Sequence, residues 1–236
     1  RNLAAGRLTF TTDVAVVSSA EVVWVTHDTP VDSDDRADVG FVTKQVERLF
    51  PHLATGTVVL ISAQLPVGTA AQLEGAFRAA RPGVAVSFAC SPENLRLGKA
   101  IAVFTQPDRV VVGVRDDAAK ARIAGLLSPI TERIEWMSVE SAEMTKHALN
   151  AFLAVSVTFA NEIATLCEQV GADAKEVERG LKSEVRIGPR AYLAPGAAFA
   201  GGTLARDITF LSSIGQAHGL ELPLVASVRP SNQAHK

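Results

Sequence analysis

The chain has 236 residues, 47% of them apolar and 20% charged, with a net charge of −2. This balance excludes a disordered chain and provides for one large core or two small ones. The small net charge gives no reason to expect nucleic acid or an anionic membrane as a partner. The two cysteines, Cys90 and Cys167, stand far apart and in no metal-ligand spacing. They read as buried thiols in a reducing cytoplasm, and no metal is expected. No apolar run is read as a membrane span or a signal peptide. The chain starts at Arg1 rather than Met, which points to a natural start further upstream.

In chain order, a short strand is predicted at 8–11 and a buried strand at 21–26 (EVVWVT). Apolar residues at Val39, Val42, Val46, Leu49 and Leu53 carry a helical spacing over 39–53. A second buried strand is predicted at 57–62 (TVVLIS) and a helix at 70–80, ended by Arg81-Pro82-Gly83. Strands at 84–89 and 109–114 follow, then a helix at 118–127 and a last strand at 134–137. This alternation predicts a parallel sheet covered by helices on both faces. Beyond it the strands stop. A long helix is expected at 141–170, with Ser138 or Ser141 as its cap and Gly171 as its stop. Helices at 174–181 (capped by Asp173), 203–215 and 223–236 complete the chain, around a Gly/Pro/Ala-rich loop at 186–202. The fold class is therefore α/β: a partial Rossmann-type parallel sheet at 1–137, then an all-helical domain at 138–236.

Ligands bind at the carboxyl ends of parallel strands. Three such ends here carry polar or turn-forming residues: His27-Asp28-Thr29-Pro30, Gln64 to Thr69, and Cys90 to Asn94. On the long helix, Lys146 and Asn150 are four residues apart and share a face. As donors they suit a water or an oxyanion. His147 is read as structural and facing elsewhere. The small residues of 195–202 run into a helix at Thr203; this is either a flexible linker or a place where a ligand approaches the backbone. Asp207 follows Thr203 by one turn, so their side chains share a face.

In this order the motifs resemble the UDP-glucose/GDP-mannose dehydrogenase family. They are DTP at 28–30, PVGT at 66–69, SPENLRLG at 91–98, PDRVVVGV at 107–114, EMTKHALNAFLA at 143–154, NEIATLCEQVGAD at 161–173, RIGPR at 186–190 and PGAAFAGGTLARD at 195–207. The resemblance implies an NAD-binding Rossmann domain, a helical middle that forms a homodimer through 141–170, and a further domain for the nucleotide. It implies oxidation of a nucleotide sugar with NAD as hydride acceptor, as in UDP-glucose 6-dehydrogenases. By resemblance, Lys146 and Asn150 stabilise negative charge and position water, and Asp207 orients that water or takes a proton through it. Thr29, Pro66, Glu93 and Arg206 fall to the cofactor. Glu93, Leu95, Lys146, Asn150, Arg186, Phe199 and Gly201 fall to the substrate, with Glu93 also a catalytic candidate.

The chain departs from the family pattern at several points. Thr203 stands where the family has its nucleophilic cysteine, and a threonine hydroxyl is far harder to ionise than a thiol. Leu97 replaces a second glutamate, Gln64 a threonine, and Arg206 a lysine. No G-x-G-x-x-G occurs, so the phosphate-binding loop is expected upstream of Arg1 and the nucleotide domain downstream of Lys236. Two readings follow: an oxidoreductase that stops before the carboxylate, or a non-catalytic dimeric relative that binds a nucleotide sugar.

Overall fold

The computed structural model describes residues 3, 5–32, 37–93, 95, 98–200 and 202–236. Two compact units emerge: residues 1–30 with 38–144, and residues 31–37 with 145–236.

The first unit is built on a five-stranded sheet: β1 (Val22–Val25), β2 (Val58–Ile61), β3 (Ser87–Cys90), β4 (Val110–Gly113) and β5 (Ile134–Met137), in that spatial order. β1, β2 and β3 are parallel, with Val25 opposite Ile61 and Ile61 opposite Cys90. β4 and β5 are also parallel. The β3–β4 pair is antiparallel, through Cys90 and Gly113, so the α/β sheet is mixed rather than wholly parallel. The connection between them includes the six-residue α3 (Ala100–Thr105).

Helices α1 (Val39–Glu47), α2 (Thr69–Ala80) and α4 (Asp117–Leu127) cover the sheet. Asp38 caps α1 through Phe41 N–H, and Asp116 caps α4 through Ala119 N–H. The helical spacing over 39–53 is interrupted: α1 ends at Glu47 and a 3₁₀ turn takes Phe50–His52, where Pro51 cannot donate to an α-helical ladder. The strand predicted at 8–11 does not form; those residues are exposed and pair with no strand. The core on one face gathers Val42, Val46, Phe50, Leu73, Phe77 and Phe88, with Val139 and Ala142. On the other, Leu60, Val112, Ala119, Ile123 and Leu127 pack together.

Helix α5 (Val139–Val170) starts in the first unit and continues through the second. Ser138 is its cap, accepting from Ser141 N–H at 3.2 Å, so the helix begins earlier than its apolar pattern indicates. Gly171, at φ 74°, stops it, with Ala172 N–H bonded back to the Cys167 carbonyl. By length and composition α5 could cross a membrane. Its buried Glu143, Lys146, His147 and Asn150, and its apolar residues in two cores, mark it as the core helix of a packed protein.

The second unit adds α6 (Ala174–Ser183), α7 (Thr203–Ala217) and α8 (Pro223–Ala234). Asp173 caps α6 through the N–H groups of Lys175 and Glu176. Ala151 and Ala154 of α5, Ile208 of α7 and Val228 of α8 form its core, flanked by Phe199, Leu204 and Leu211.

Candidate functional site

In the first unit β1, β2 and β3 end at the same end of the sheet, because they run parallel and in register. A line of hydroxyl groups links these ends. Trp24 Nε1 donates to Ser62 Oγ at 2.8 Å, Ser62 Oγ to the Ser91 carbonyl at 2.7 Å, and Ser91 Oγ to the Val111 carbonyl at 3.0 Å. Ser62 and Ser91 are buried, so each bond satisfies a group that would otherwise destabilise the interior. Thr29 is buried after β1 and donates to the Gln64 carbonyl at 2.8 Å, tying the first loop to the second. Pro66 is half-buried, and its carbonyl accepts from Thr69 Oγ1 at 2.7 Å. Glu93 is exposed after β3, and its carboxylate accepts from Leu95 N–H within its own loop; Leu95 is exposed as well.

The second loop is also fixed by Glu143, which the sequence reading leaves unassigned. Its two carboxylate oxygens accept from Gly68 N–H at 2.7 Å and Ala70 N–H at 3.0 Å. Gly68 has φ 92° and no side chain to cap α2, so the carboxylate supplies the cap and matches the positive end of the helix dipole. Burial raises the Cys90 thiol far above its ordinary range, and the Glu143 charge raises it further. Cys90 is thereby inert as a nucleophile.

In the second unit Asp207 is fully buried on α7, at 0% exposure. It takes two side chains from α5: Asn150 Nδ2 donates to its Oδ2, and His147 Nδ1 lies 2.6 Å from its Oδ1. Predicted Asn150 and Asp207 are thus brought together. Lys146 is buried on the same turn of α5. The expectation that His147 faces elsewhere is corrected: its ring, 1% exposed, stands on Asp207 and edge-on to Phe210 at 5.4 Å. The signal was available, because 147 and 150 have i,i+3 spacing. Thr203 and Asp207 separate in environment, the first exposed at the helix start and the second enclosed.

The loop of small residues is tethered rather than loose. Asn161 Oδ1 accepts from Gly196 N–H at 2.9 Å, and His235 Nε2 lies 2.9 Å from the Gly196 carbonyl. Asn232 bonds both backbone groups of Phe199, accepting from its N–H and donating to its carbonyl, each at 2.9 Å. These partners come from α5, from α8 and from the residue that follows α8, and no local sequence pattern announces them.

Two profiles of one family match the chain. Residues 1–131 match the NAD binding domain of the UDP-glucose/GDP-mannose dehydrogenase family, and residues 140–234 match its central domain. The chain belongs to this family. It is 34% identical over 242 residues to a UDP-glucose 6-dehydrogenase of Rhizobium meliloti, covering 100% of this chain and 55% of that protein. It is equally 34% identical to one from Pseudomonas aeruginosa, covering 99% and 53%. The chain thus spans about half the length of the curated relatives it matches. A solved UDP-glucose dehydrogenase from Pyrobaculum islandicum superposes with a TM-score of 0.86 at 28% identity, over 98% of this chain and 55% of that one. Membership bears out the resemblance read from the motifs, the α/β fold class and NAD as the cofactor of the matched domain.

Within this dehydrogenase family fold, Arg206 is buried beside Asp207 on α7. Arg186 is exposed and pairs with Glu184 at 2.9 Å. Phe199 is half-buried against the α5–α7–α8 core. Leu97 and Gly201 lie outside the described residues.

Proposed function

We propose that this chain serves an NAD-dependent oxidation of the CH–OH group of a nucleotide sugar, in the manner of UDP-glucose 6-dehydrogenases, and that the oxidation stops at the aldehyde. The observation that carries the reading is the fully buried Asp207, held by Asn150 and His147 of α5. A carboxylate removed from water loses hydration free energy and needs hydrogen bonds in return, so enclosing one is costly for a mere scaffold.

The residues present fit one side of NAD. Thr29 and Pro66, after β1 and β2, would line the nicotinamide, with Glu93 after β3; Arg206 is assigned to the cofactor too. The α2 N-terminus is already capped by Glu143, so this helix end does not receive a pyrophosphate. NAD, when bound, supplies the hydride acceptor. Lys146 and Asn150 would stabilise negative charge growing on the alcohol oxygen. Asp207 would take the hydroxyl proton through a water. The alcohol carbon gives up one hydride and its oxygen one proton, leaving an aldehyde. Arg186, Leu95, Phe199 and Gly201 are assigned to substrate contacts.

Conversion of the aldehyde to a carboxylate through a thioester needs an ionisable thiol. Thr203 offers a hydroxyl, and the buried Cys90 cannot substitute for it. The test is stoichiometry. Protein from the complete open reading frame, given a panel of nucleotide sugars, should release one NADH per sugar and leave an aldehyde. Two NADH and a uronic acid would contradict the single-step reading. Tight sugar binding with no NADH would favour a non-catalytic relative.

We further propose a homodimer through α5, supported by the exposed Phe152, Phe159, Leu166 and Val170 on one side of that helix. We assign the protein to the cytoplasm, where Cys90 and Cys167 stay reduced.

A further inference from the structure

We propose that His147 is a positioning residue for Asp207: its imidazole fixes the plane of the carboxylate through which the alcohol proton leaves. The inference rests on the dehydrogenase reading above and concerns the same cluster. It starts from the asymmetry of the two bonds. Asn150 holds Oδ2 and His147 holds Oδ1, so both oxygens are engaged from one side by consecutive turns of α5. One bond to each oxygen resists rotation of the carboxylate about its Cβ–Cγ axis.

With Asp207 Oδ1 as the acceptor, Nδ1 of His147 is the donor, and the acceptor sets the tautomer. The ring is itself held. Phe210, one turn beyond Asp207 on α7, stacks edge-on against it at an interplanar angle of 86°. α7 therefore contributes both the carboxylate and the ring that aligns its donor. A donor behind a catalytic group acts through precision of placement, and its loss reduces turnover more than binding.

Three proteins from the complete open reading frame test this: wild type, His147→Phe and His147→Asn. Phenylalanine keeps a flat ring against Phe210 but donates nothing; asparagine restores an N–H near the Nδ1 position. For His147→Phe we expect kcat to fall about 10- to 100-fold, with KM for sugar and NAD within about threefold of wild type. His147→Asn should recover most of the lost kcat. Wild-type kcat in His147→Phe overturns the proposal, as does equal impairment of both variants, which would make ring volume the requirement. If wild type oxidises no nucleotide sugar, the dehydrogenase reading fails, and the pair is decided by NMR. A strongly deshielded imidazole Nδ1 proton that moves upfield in Asp207→Asn supports the clamp; one that does not move overturns it.

Discussion

Glu143 of α5 and Gly68 at the head of α2 are joined by a 2.7 Å hydrogen bond, carboxylate to backbone N–H. With the second bond to Ala70, one side chain caps a helix that has no cap of its own. Removing it leaves two N–H groups with no acceptor, one of them fully buried. We predict that Glu143→Ala destabilises the protein by about 2–3 kcal/mol and that Glu143→Gln costs less, because an amide oxygen still accepts. Urea denaturation measures both. A Glu143→Ala loss below about 0.5 kcal/mol, the ordinary range of surface substitutions, would mean water replaces the carboxylate.

Gly113 closes β4 where α5 begins. A Cβ built there would lie 2.6 Å from Val139 Cα, 2.7 Å from the Ser138 carbonyl oxygen and 2.8 Å from Ala142 Cβ. Two of the three neighbours are backbone, so no rotamer change relieves the clash. Gly113→Ala should cost about 3 kcal/mol, at the upper end of ordinary overpacking. A thermal midpoint unchanged from wild type would show that the helix start can slide.

The difference between these two sites marks how far the sequence is legible. Buried strands such as Val58–Ile61 and the long stripe of α5 announce themselves by period, and Gly171 and Asp173 by their chemistry. The short α3 and the antiparallel pairing of Cys90 with Gly113 do not, because strand direction is set by pairing across the sheet and not by a local period. Pro51 was a visible breaker that the apolar spacing over 39–53 masked. At the candidate site, Asn150 is legible from helical spacing and Asp207 from its motif; the same spacing argument reaches His147 when counted from Asn150. Asn161, Asn232 and His235 are legible only in space, since each meets a loop more than thirty residues away.

Asp116 couples acid stability to the α4 cap. Ser87 Oγ donates to it at 2.7 Å and Ala119 N–H at 2.8 Å, and the serine bond, then the backbone, holds its carboxyl below the ordinary 3.8. A carboxyl lowered in the folded state stabilises above its unfolded pKa, and that contribution is lost as pH falls through the folded value. We therefore predict that Ser87→Ala is less stable than wild type at neutral pH, and that the gap closes below about pH 3.8. A gap independent of pH would trace the loss to packing.

Thr203 carries the claim that oxidation halts. In protein from the complete open reading frame, Thr203→Cys should add a second oxidation, moving NADH per sugar from one towards two and the product from aldehyde to acid. The thiol would attack the aldehyde carbon, the resulting hemithioacetal would give a second hydride to NAD and a proton to solvent, and water would hydrolyse the thioester to the acid and free the thiol. The exposed position of Thr203 at the start of α7 leaves room for either side chain. Unchanged stoichiometry, with the new thiol shown to be titratable, would mean that more than the nucleophile has diverged, with Gln64 and Leu97 the first positions to examine.

The apolar face of α5 has a spacing that suits a partner helix. Phe152, Phe159 and Leu166 recur every seven residues, and Val170 follows one turn later; their exposures are 69%, 45%, 57% and 68%. Seven residues are nearly two full turns, so these side chains form a line rather than a scatter. Exposure of that much apolar surface is unfavourable unless something covers it, and a second copy presents the same line. Each phenylalanine buried at such a contact contributes about 2 kcal/mol; the double variant removes two from each protomer and so four from the dimer, which raises the dimer Kd on the order of a millionfold. We predict that Phe152→Glu with Phe159→Glu converts a dimer to a monomer in sedimentation at micromolar concentration, while circular dichroism keeps its helical signal. A wild-type monomer under those conditions removes the dimer altogether, and a double variant that still dimerises moves the interface off this face of α5.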